Sequence, residues 1–315
     1  MIARRILCLG AGAGWHAEQI TDACNRHGCE LKAATYESLK AEVTSEGTSF
    51  HCDAGELTDF DLIFTRTMPL GSFEQITFRL AVLHEVHDRA TNGNRGVTRQ
   101  HEENGTPLVI NPPRSLELAI DKFSTLRQVE ALGFRVPETC VVQSRSEALA
   151  AFQRLGGDCV VKPIFGGEGR GVMRLKEEEL AWYTFSALDR LGSVFYVQKF
   201  VPPGGSDLRL LVIGDRVIGI RRENAQDFRA NVAGGGVSSG VKVDHSLEAM
   251  AHAITRKLGL TYAAVDLLED PAGIPCVIEV NAIPGWKGAQ SVVSFSIADM
   301  IVSTLLTAAG DGYRQ

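Results

Sequence analysis

Three oxygen-bearing side chains fall at spacings that bring them together. Between Tyr262 and Gly285, two apolar runs, Tyr262–Leu268 and Ile274–Val280, flank the break Glu269-Asp270-Pro271-Ala272-Gly273. Pro and Gly supply the dihedral angles a reversal needs, so the stretch predicts a β-hairpin. Asp266 lies inside the first strand; Glu279 and Asn281, two residues apart on the second, share a face because strand side chains alternate. Folding about Ala272–Gly273 sets Asp266 roughly opposite Glu279. Two carboxylates in an apolar strand pair repel and resist burial unless positive charge lies between them. A hard cation is the simplest answer, and magnesium, at ~2.0–2.1 Å from a few oxygens with positions open to phosphate, fits that chemistry. A solvated hairpin face, where charges need no explanation, is the alternative.

A second constellation suits phosphate. Cys159-Val160-Val161-Lys162-Pro163 reads as a buried strand ending in lysine, and Phe165-Gly166-Gly167-Glu168-Gly169-Arg170-Gly171-Val172 follows it. Glycine lets backbone N–H groups approach oxygens, and lysine supplies a point charge. No G-x-x-x-x-G-K-[ST] occurs, so this is not a Walker A loop. A plain hairpin turn is the alternative. Near the start, Gly10-Ala11-Gly12-Ala13-Gly14 follows the strand Ile6–Leu9, but Trp15 stands where a dinucleotide fingerprint needs glycine. That loop is either a substrate-approach loop, with Trp15 and His16 nearby, or a tight strand-to-helix turn. Arg66, in Thr65–Ser72, follows a strand end and either meets an anionic substrate or sits on the surface.

The elements that position these residues alternate. A helix is expected over 17–28, a strand over 60–64, an amphipathic helix over 73–90 and a strand at Leu108–Ile110, which together predict an open α/β domain over residues 1–110. After Asn111-Pro112-Pro113 come a helix Ser115–Leu132, a helix 146–155 and an apolar strand Val194–Val201 that runs into Pro202-Pro203-Gly204-Gly205. Strands from Ser206 to Val212 and from Arg216 to Arg222, then a helix over 246–258, lead into the hairpin. The expected divisions are 1–110, 111–197 and 198–315.

Composition narrows the classes. With 315 residues, 44% hydrophobic and 22% charged, the chain reads as a soluble globular protein. No run approaches a membrane span, and MIARRILCLGAGAG is a strand opening, not a secretory signal, so the expected address is cytoplasmic. A net charge of −6 without a long basic run argues against nucleic acid. The seven cysteines, 8, 24, 29, 52, 140, 159 and 276, are odd in number and form no C-x-x-C pair, so reduced thiols are expected. His84 and His87 lack the zinc spacing of H-E-x-x-H and read as helix-surface residues.

The ordered set of motifs resembles one family. It runs Asp121-Lys122, Val161-Lys162-Pro163 with its glycine loop, Val197-Gln198-Lys199-Phe200-Val201, Asp207-x-Arg209, Arg222, Phe228-Arg229-x-Asn231, Val265-Asp266-Leu267-Leu268 and Glu279-x-Asn281-x-x-Pro284-Gly285. Over residues 111–305 this resembles the RimK-like ATP-grasp carboxylate–amine ligases. The resemblance implies an ATP-grasp fold of α/β class, with α+β sub-domains behind the N-terminal open α/β domain. Arg66-Thr67-Met68-Pro69 to Phe78-Arg79, with Asn281 to Gly288, resembles the branch linked to tetrahydromethanopterin cofactor biosynthesis, while Trp286-Lys287-Gly288 departs from members that modify a ribosomal protein.

From the resemblance, Lys122 and Lys162 grip ATP phosphates beneath a loop of Gly166, Gly167, Gly169 and Gly171. Gln198, Lys199, Phe200 and Val201 flank and bond adenine. Asp266, Glu279 and Asn281 hold Mg2+ (or Mn2+). Arg209, Arg222 and Asn231 orient the acceptor carboxylate and the migrating phosphoryl group. The implied reaction is ATP-dependent amide formation between a carboxylate and an amino acid such as L-glutamate, through an acyl phosphate. The partners are those small molecules and a possible second copy of the chain. A non-catalytic ATP-binding module and a ligase acting on a protein or peptide C-terminus are the alternatives.

Overall fold

The computed structural model describes residues 4–10, 12–92, 107–167, 169–230 and 235–312. The chain divides into two compact units: Met1–Leu116 with Gly259–Tyr262 and Gly285–Gln315, and Glu117–Leu258 with Ala263–Pro284.

The first unit begins with β1 (Arg5–Leu9), α1 (Trp15–Arg26) and β2 (Glu30–Ala34). A three-stranded antiparallel sheet follows, from β3 (Lys40–Thr44), β4 (Gly47–Cys52) and β5 (Gly55–Glu56), then β6 (Leu62–Thr65), α2 (Phe73–Asn92) and β7 (Leu108–Ile110). The four-stranded sheet has order β2-β1-β6-β7 and is parallel throughout. Leu7, Leu9, Ile63, Val82, Leu83, Val86 and Val109 form its core. Parallel strands covered on both faces read as continuous apolar runs, which is why Ile6–Leu9 shows no alternation. The open α/β expectation for this part therefore holds.

The second unit is built from α3 (Pro113–Ile120, whose first turn belongs to the first unit), α4 (Lys122–Ala131), β8 (Thr139–Val142), α5 (Arg145–Arg154), β9 (Cys159–Lys162), β10 (Met173–Leu175), α6 (Glu178–Arg190) and β11 (Phe195–Lys199). It continues with β12 (Ser206–Ile213), β13 (Arg216–Glu223), β14 (Val237–Val241), α7 (His245–Leu258), β15 (Tyr262–Glu269) and β16 (Pro275–Asn281). One sheet has order β10-β9-β11-β8, with all its pairs antiparallel, and packs under α5 and α6 through Ala148, Phe152, Phe185, Phe195 and Val197. The other has order β14-β13-β12-β15-β16. After it the chain adds a short helix, α8 (Lys287–Gln290), and α9 (Ile297–Gly312).

Two differences from the sequence expectation have physical causes. The single helix expected over 115–132 is broken at Asp121, which takes an extended conformation. Its carboxylate accepts from Phe123 N at 2.9 Å, Ser124 N at 3.1 Å and Ser124 Oγ at 2.7 Å. Aspartate competes with helix continuation by bonding nearby backbone, and so starts α4 as its N-cap. Asp121→Ala should therefore cost about 1 kcal/mol, read as a lower urea midpoint with an unchanged slope. An unchanged midpoint would show that the cap adds nothing.

The second difference is α9, which the sequence division gave to the last segment. Its buried Ile297, Ala298, Ile301, Val302, Leu305 and Ala309 form one stripe, and it packs on α1, β6 and β7. A parallel sheet needs helices on its faces, and this apolar stripe meets that need. Asn111 similarly draws residues 259–262 into the first unit. Its Nδ2 donates to Tyr262 O at 2.6 Å, and its Oδ1 accepts from Thr261 N at 2.9 Å and Tyr262 N at 3.1 Å.

All seven cysteines are unpaired thiols. Among the described residues, no helix is long and apolar enough to cross a membrane.

Candidate active site

The hairpin forms in the expected register. Asp266 stands opposite Glu279 and Ala264 opposite Asn281. A bulge follows at Ile278, since Leu267 pairs with Val277; the extra residue locally bends β16. Strand β12 lies beside β15 in the same sheet, and Asp207 on β12 pairs with Arg222 on β13.

These neighbours change the electrostatic account of the hairpin. Arg209 donates both Nε and Nη2 to Asp266, at 2.7 and 2.6 Å. Arg222 forks onto Asp207 with both bonds at 2.6 Å and reaches Asp266 at 3.1 Å. Asp207, Arg222 and Asp266 are all buried. Burial opposes the Asp266 charge, yet the two guanidiniums hold its carboxyl well below the usual carboxylate range. Burial likewise works against the Arg222 charge, and Asp266 and Asp207 outweigh it. The protein thus supplies positive charge beside Asp266 itself, so carboxylate repulsion does not by itself require a metal. Arg222, buried, and Arg209, partly exposed, both converge on Asp266.

Glu279 has its own cation. Lys122 Nζ lies 3.6 Å from Glu279 Oε1 and donates to Gly166 O at 2.5 Å and Ile164 O at 3.5 Å. One buried lysine therefore ties the start of the glycine loop to the hairpin. Asn281 Oδ1 accepts from Ile283 N at 2.9 Å, which fixes the side chain at the strand end. Two carboxylates and an amide oxygen on adjacent strands are a hard donor set suited to Mg2+ or Mn2+. Glu279 remains partly exposed, and the three bonds from Arg209 and Arg222 leave one acceptor position open on Asp266, at Oδ1, so the donor chemistry fits such an ion.

Lys162 ends β9 opposite Tyr196 of β11. Its Nζ donates to Gln198 Oε1 at 2.7 Å, while Gln198 Nε2 donates to Thr139 Oγ1 at 2.9 Å and to Tyr196 Oη at 3.3 Å. The buried Gln198 side chain is thus spent on aiming Lys162, whereas the sequence reading set it beside adenine. Burial pushes the Lys162 ammonium down to about 8; Lys122 adds to the drop, and Glu279 opposes it.

In the loop, Gly171 has φ +70°, and a Cβ there would meet Pro163 at 3.1 Å, so glycine is required. Gly169 accepts from Arg229 Nη1 at 3.1 Å, and Asp227 in turn grips that arginine. Gly166 and Gly167 are exposed. Lys199 is exposed and bonds Glu138 Oε1 at 2.5 Å. The backbone N–H groups of Lys199 and Phe200 already donate to Glu138 O at 2.8 Å and Asp158 O at 3.0 Å. The Phe200 ring is covered by Arg174, whose guanidinium carbon lies 3.2 Å from the ring centre. Val201 follows, partly buried. Asn231 lies outside the described residues.

Sequence reasoning missed Tyr196, Thr139 and Asp227. Tyr196 was legible by parity, since it shares the Gln198 face of β11; Thr139 sits on a strand the reading did not place.

A family model described as a RimK-like ATP-grasp domain matches residues 119–305. The chain is 32% identical over 205 residues to tetrahydromethanopterin:alpha-L-glutamate ligase of Methanocaldococcus jannaschii, over 63% of this chain and 70% of that one. It is 29% identical over 296 residues to a protein of Sodalis glossinidius named "Probable alpha-L-glutamate ligase", over 93% of each. Among solved structures, the ATP-grasp ligase PsnB complexed with minimal precursor, Mg and ADP matches with a TM-score of 0.71 at 18% identity, over 96% of this chain and 97% of that one. D-cycloserine synthetase DcsG matches with a TM-score of 0.70 at 18% identity, over 97% of this chain and 99% of that one. At such identities these two likenesses speak to the fold alone.

Proposed function

The chain belongs to the RimK-like ATP-grasp family of ligases, and on that footing we propose that it joins the carboxylate of a small acid to the amine of L-glutamate through an acyl phosphate. The observation that carries this is the meeting, within the second unit, of two phosphate-type lysines with Glu279 and of two arginines with Asp266. Relatives named for tetrahydromethanopterin and L-glutamate support a pterin-type acid as the first substrate to try.

A carboxylate attacking the γ-phosphate of ATP is anion meeting anion, so neutralisation and alignment are the main tasks. Lys122 and Lys162 face the phosphates, with Lys162 aimed by Gln198. The carbonyl of Lys199 and the N–H of Val201 meet the adenine edge, because the N–H groups of 199 and 200 are engaged elsewhere. Asp266, Glu279 and Asn281 would hold Mg2+ or Mn2+, which when bound neutralises phosphate charge. Arg209 and Arg222 stabilise the transferring group. The substrate carboxylate oxygen bonds the γ-phosphorus as ADP leaves. The amine then attacks the acyl carbon, loses a proton and expels phosphate. The glycine loop shields the acyl phosphate from water.

The test is ADP and phosphate release with a pterin-type acid and L-glutamate, alongside product mass. A chain that binds ATP but releases no ADP with any acid is a non-catalytic module. ADP release only with a peptide bearing a free carboxylate would favour the peptide-ligase reading, which neighbours solved with precursor peptides motivate.

Lys162 adds a pH dependence. With its ammonium near 8, it is charged below that value and loses its proton above it. ATP affinity should be full at about pH 6.5 and roughly tenfold weaker at about pH 9.5, since a charge facing phosphate in a partly dry site is lost. Lys162→Ala should be weak at both. Calorimetry giving a flat wild-type profile with affinity equal to the variant would return Lys162 to a structural role.

A further inference from the structure

A second group of cationic and donor side chains lies in the first unit. At the end of β1, a Cβ on Gly10 would sit 2.8 Å from the Arg66 Cβ, so glycine is what permits this approach. Arg66 N donates to Leu9 O at 2.7 Å, and Tyr36 Oη donates to Arg66 O at 3.1 Å, which fix the residue from both sides. Its guanidinium carbon lies 4.8 Å from the Trp286 ring centre, 5.5 Å from Phe64 and 5.9 Å from Tyr262. His16 packs edge-on against Trp286 at 4.4 Å. Its Nε2 accepts from Trp286 N at 3.1 Å, which places the ring proton on Nδ1. Lys287 Nζ stands 6.0 Å from the Trp15 ring centre.

We propose that Arg66, His16, Lys287 and the Trp286 indole N–H form an oxyanion site on the first unit that takes a carboxylate or phosphate group of the acid substrate. Every group named is a donor at neutral pH. Trp286 is fully buried, and its Nε1 has no acceptor; a buried donor left unmade is costly, and an anion would supply the missing acceptor. Burial, then Arg66, then Lys287 lower His16 to about 4, so the imidazole stays neutral and offers its Nδ1–H. The set has a floor and an open side: Arg66 and Trp286 are buried, whereas Gly12, Ala13, Gly14 and Lys287 are exposed. Helix α1 begins there with Gly14 as N-cap and no side-chain cap, so its first-turn N–H groups add to the same field. Assigning the anion to the acid substrate rests on the ligase reading; the binding itself does not.

The test is a titration of the full chain, without nucleotide, with inorganic phosphate and separately with glutarate. Indole N–H resonances of Trp15, Trp182 and Trp286 are followed at constant ionic strength. Saturable shifts of Trp15 and Trp286, but not of Trp182 in the second unit, are expected with at least one probe. The tighter probe tells phosphate from carboxylate. Arg66→Met should weaken binding about tenfold and Lys287→Met about threefold, as expected for losing a charged partner in a buried and an exposed position respectively. Lys287 is exposed, so its variant should fold even if Arg66→Met does not. No saturable shift with either probe, or wild-type affinity in Lys287→Met, overturns the site. Because no ATP is present, failure of the ligase reading would leave this result standing.

Discussion

Replacing Glu279 by glutamine is expected to reduce ADP release by ~10²-fold or more at millimolar magnesium while leaving the fold intact. The position follows from register: Glu279 pairs across the hairpin with Asp266, and of that pair only Asp266 is gripped by an arginine fork. Its side chain retains 32% exposure, which leaves it reachable by an ion from solvent. The substitution removes the anionic oxygen proposed to hold the ion, the kind of donor hard cations value most. It also removes the charge that steadies both lysines, since Glu279 opposes the lowering of Lys162 and pairs with Lys122. Lys162 should then titrate lower still and reach the phosphates partly uncharged. Stability should change little, because Lys122 keeps its bonds to Gly166 O and Ile164 O. Mn2+ affinity by electron paramagnetic resonance gives a readout separate from turnover and should fall in parallel. Near-wild-type turnover together with unchanged Mn2+ binding would sink the metal assignment.

What could be read from the chain, and what could not, divides by whether a signal is local. The hairpin was legible because Pro271 and Gly273 mark its turn and strand parity fixes which residues share a face. The strand-end lysine with its glycines was legible for the same reason. The partners of Asp266 were not. That Arg209 reaches it depends on β12 lying beside β15, some 57 residues apart in sequence, and alternation gives a face but never a neighbour. The sheet of β3, β4 and β5 escaped although Lys40-Ala41-Glu42-Val43-Thr44 alternates, because one Ala and one Val make a weak apolar signal and every residue of β3 is exposed. The break at Asp121 escaped because helix periodicity continues through it, and only cap chemistry at one residue ends the first helix.

Arg209→Lys should bind ATP normally yet lose ~10²-fold or more in amide formation. In the structure Arg209 uses its planar fork on Asp266, with two bonds at 2.7 and 2.6 Å, and it keeps 19% side-chain exposure. A lysine ammonium would preserve the charge beside Asp266 but not the two-point grip that sets the orientation of that carboxylate. Nor could it match paired oxygens of a transferring phosphoryl group. In the proposed site the nucleotide side falls to Lys122 and Lys162, which do not touch Arg209, so ATP affinity is the internal control. Arg222 is the poorer test residue. It is buried between Asp207 and Asp266, and truncating it would strand the buried Asp207 carboxylate, typically at about 3–5 kcal/mol, so any loss of activity would be confounded by unfolding. Arg209, at the more open end of the same network, separates the two effects. The measurement is titration calorimetry with ATP beside product formation from L-glutamate, with a thermal melt to establish that the variant is folded. Normal product formation by a folded Arg209→Lys chain would remove Arg209 from the transfer step and leave it as a prop for Asp266 alone.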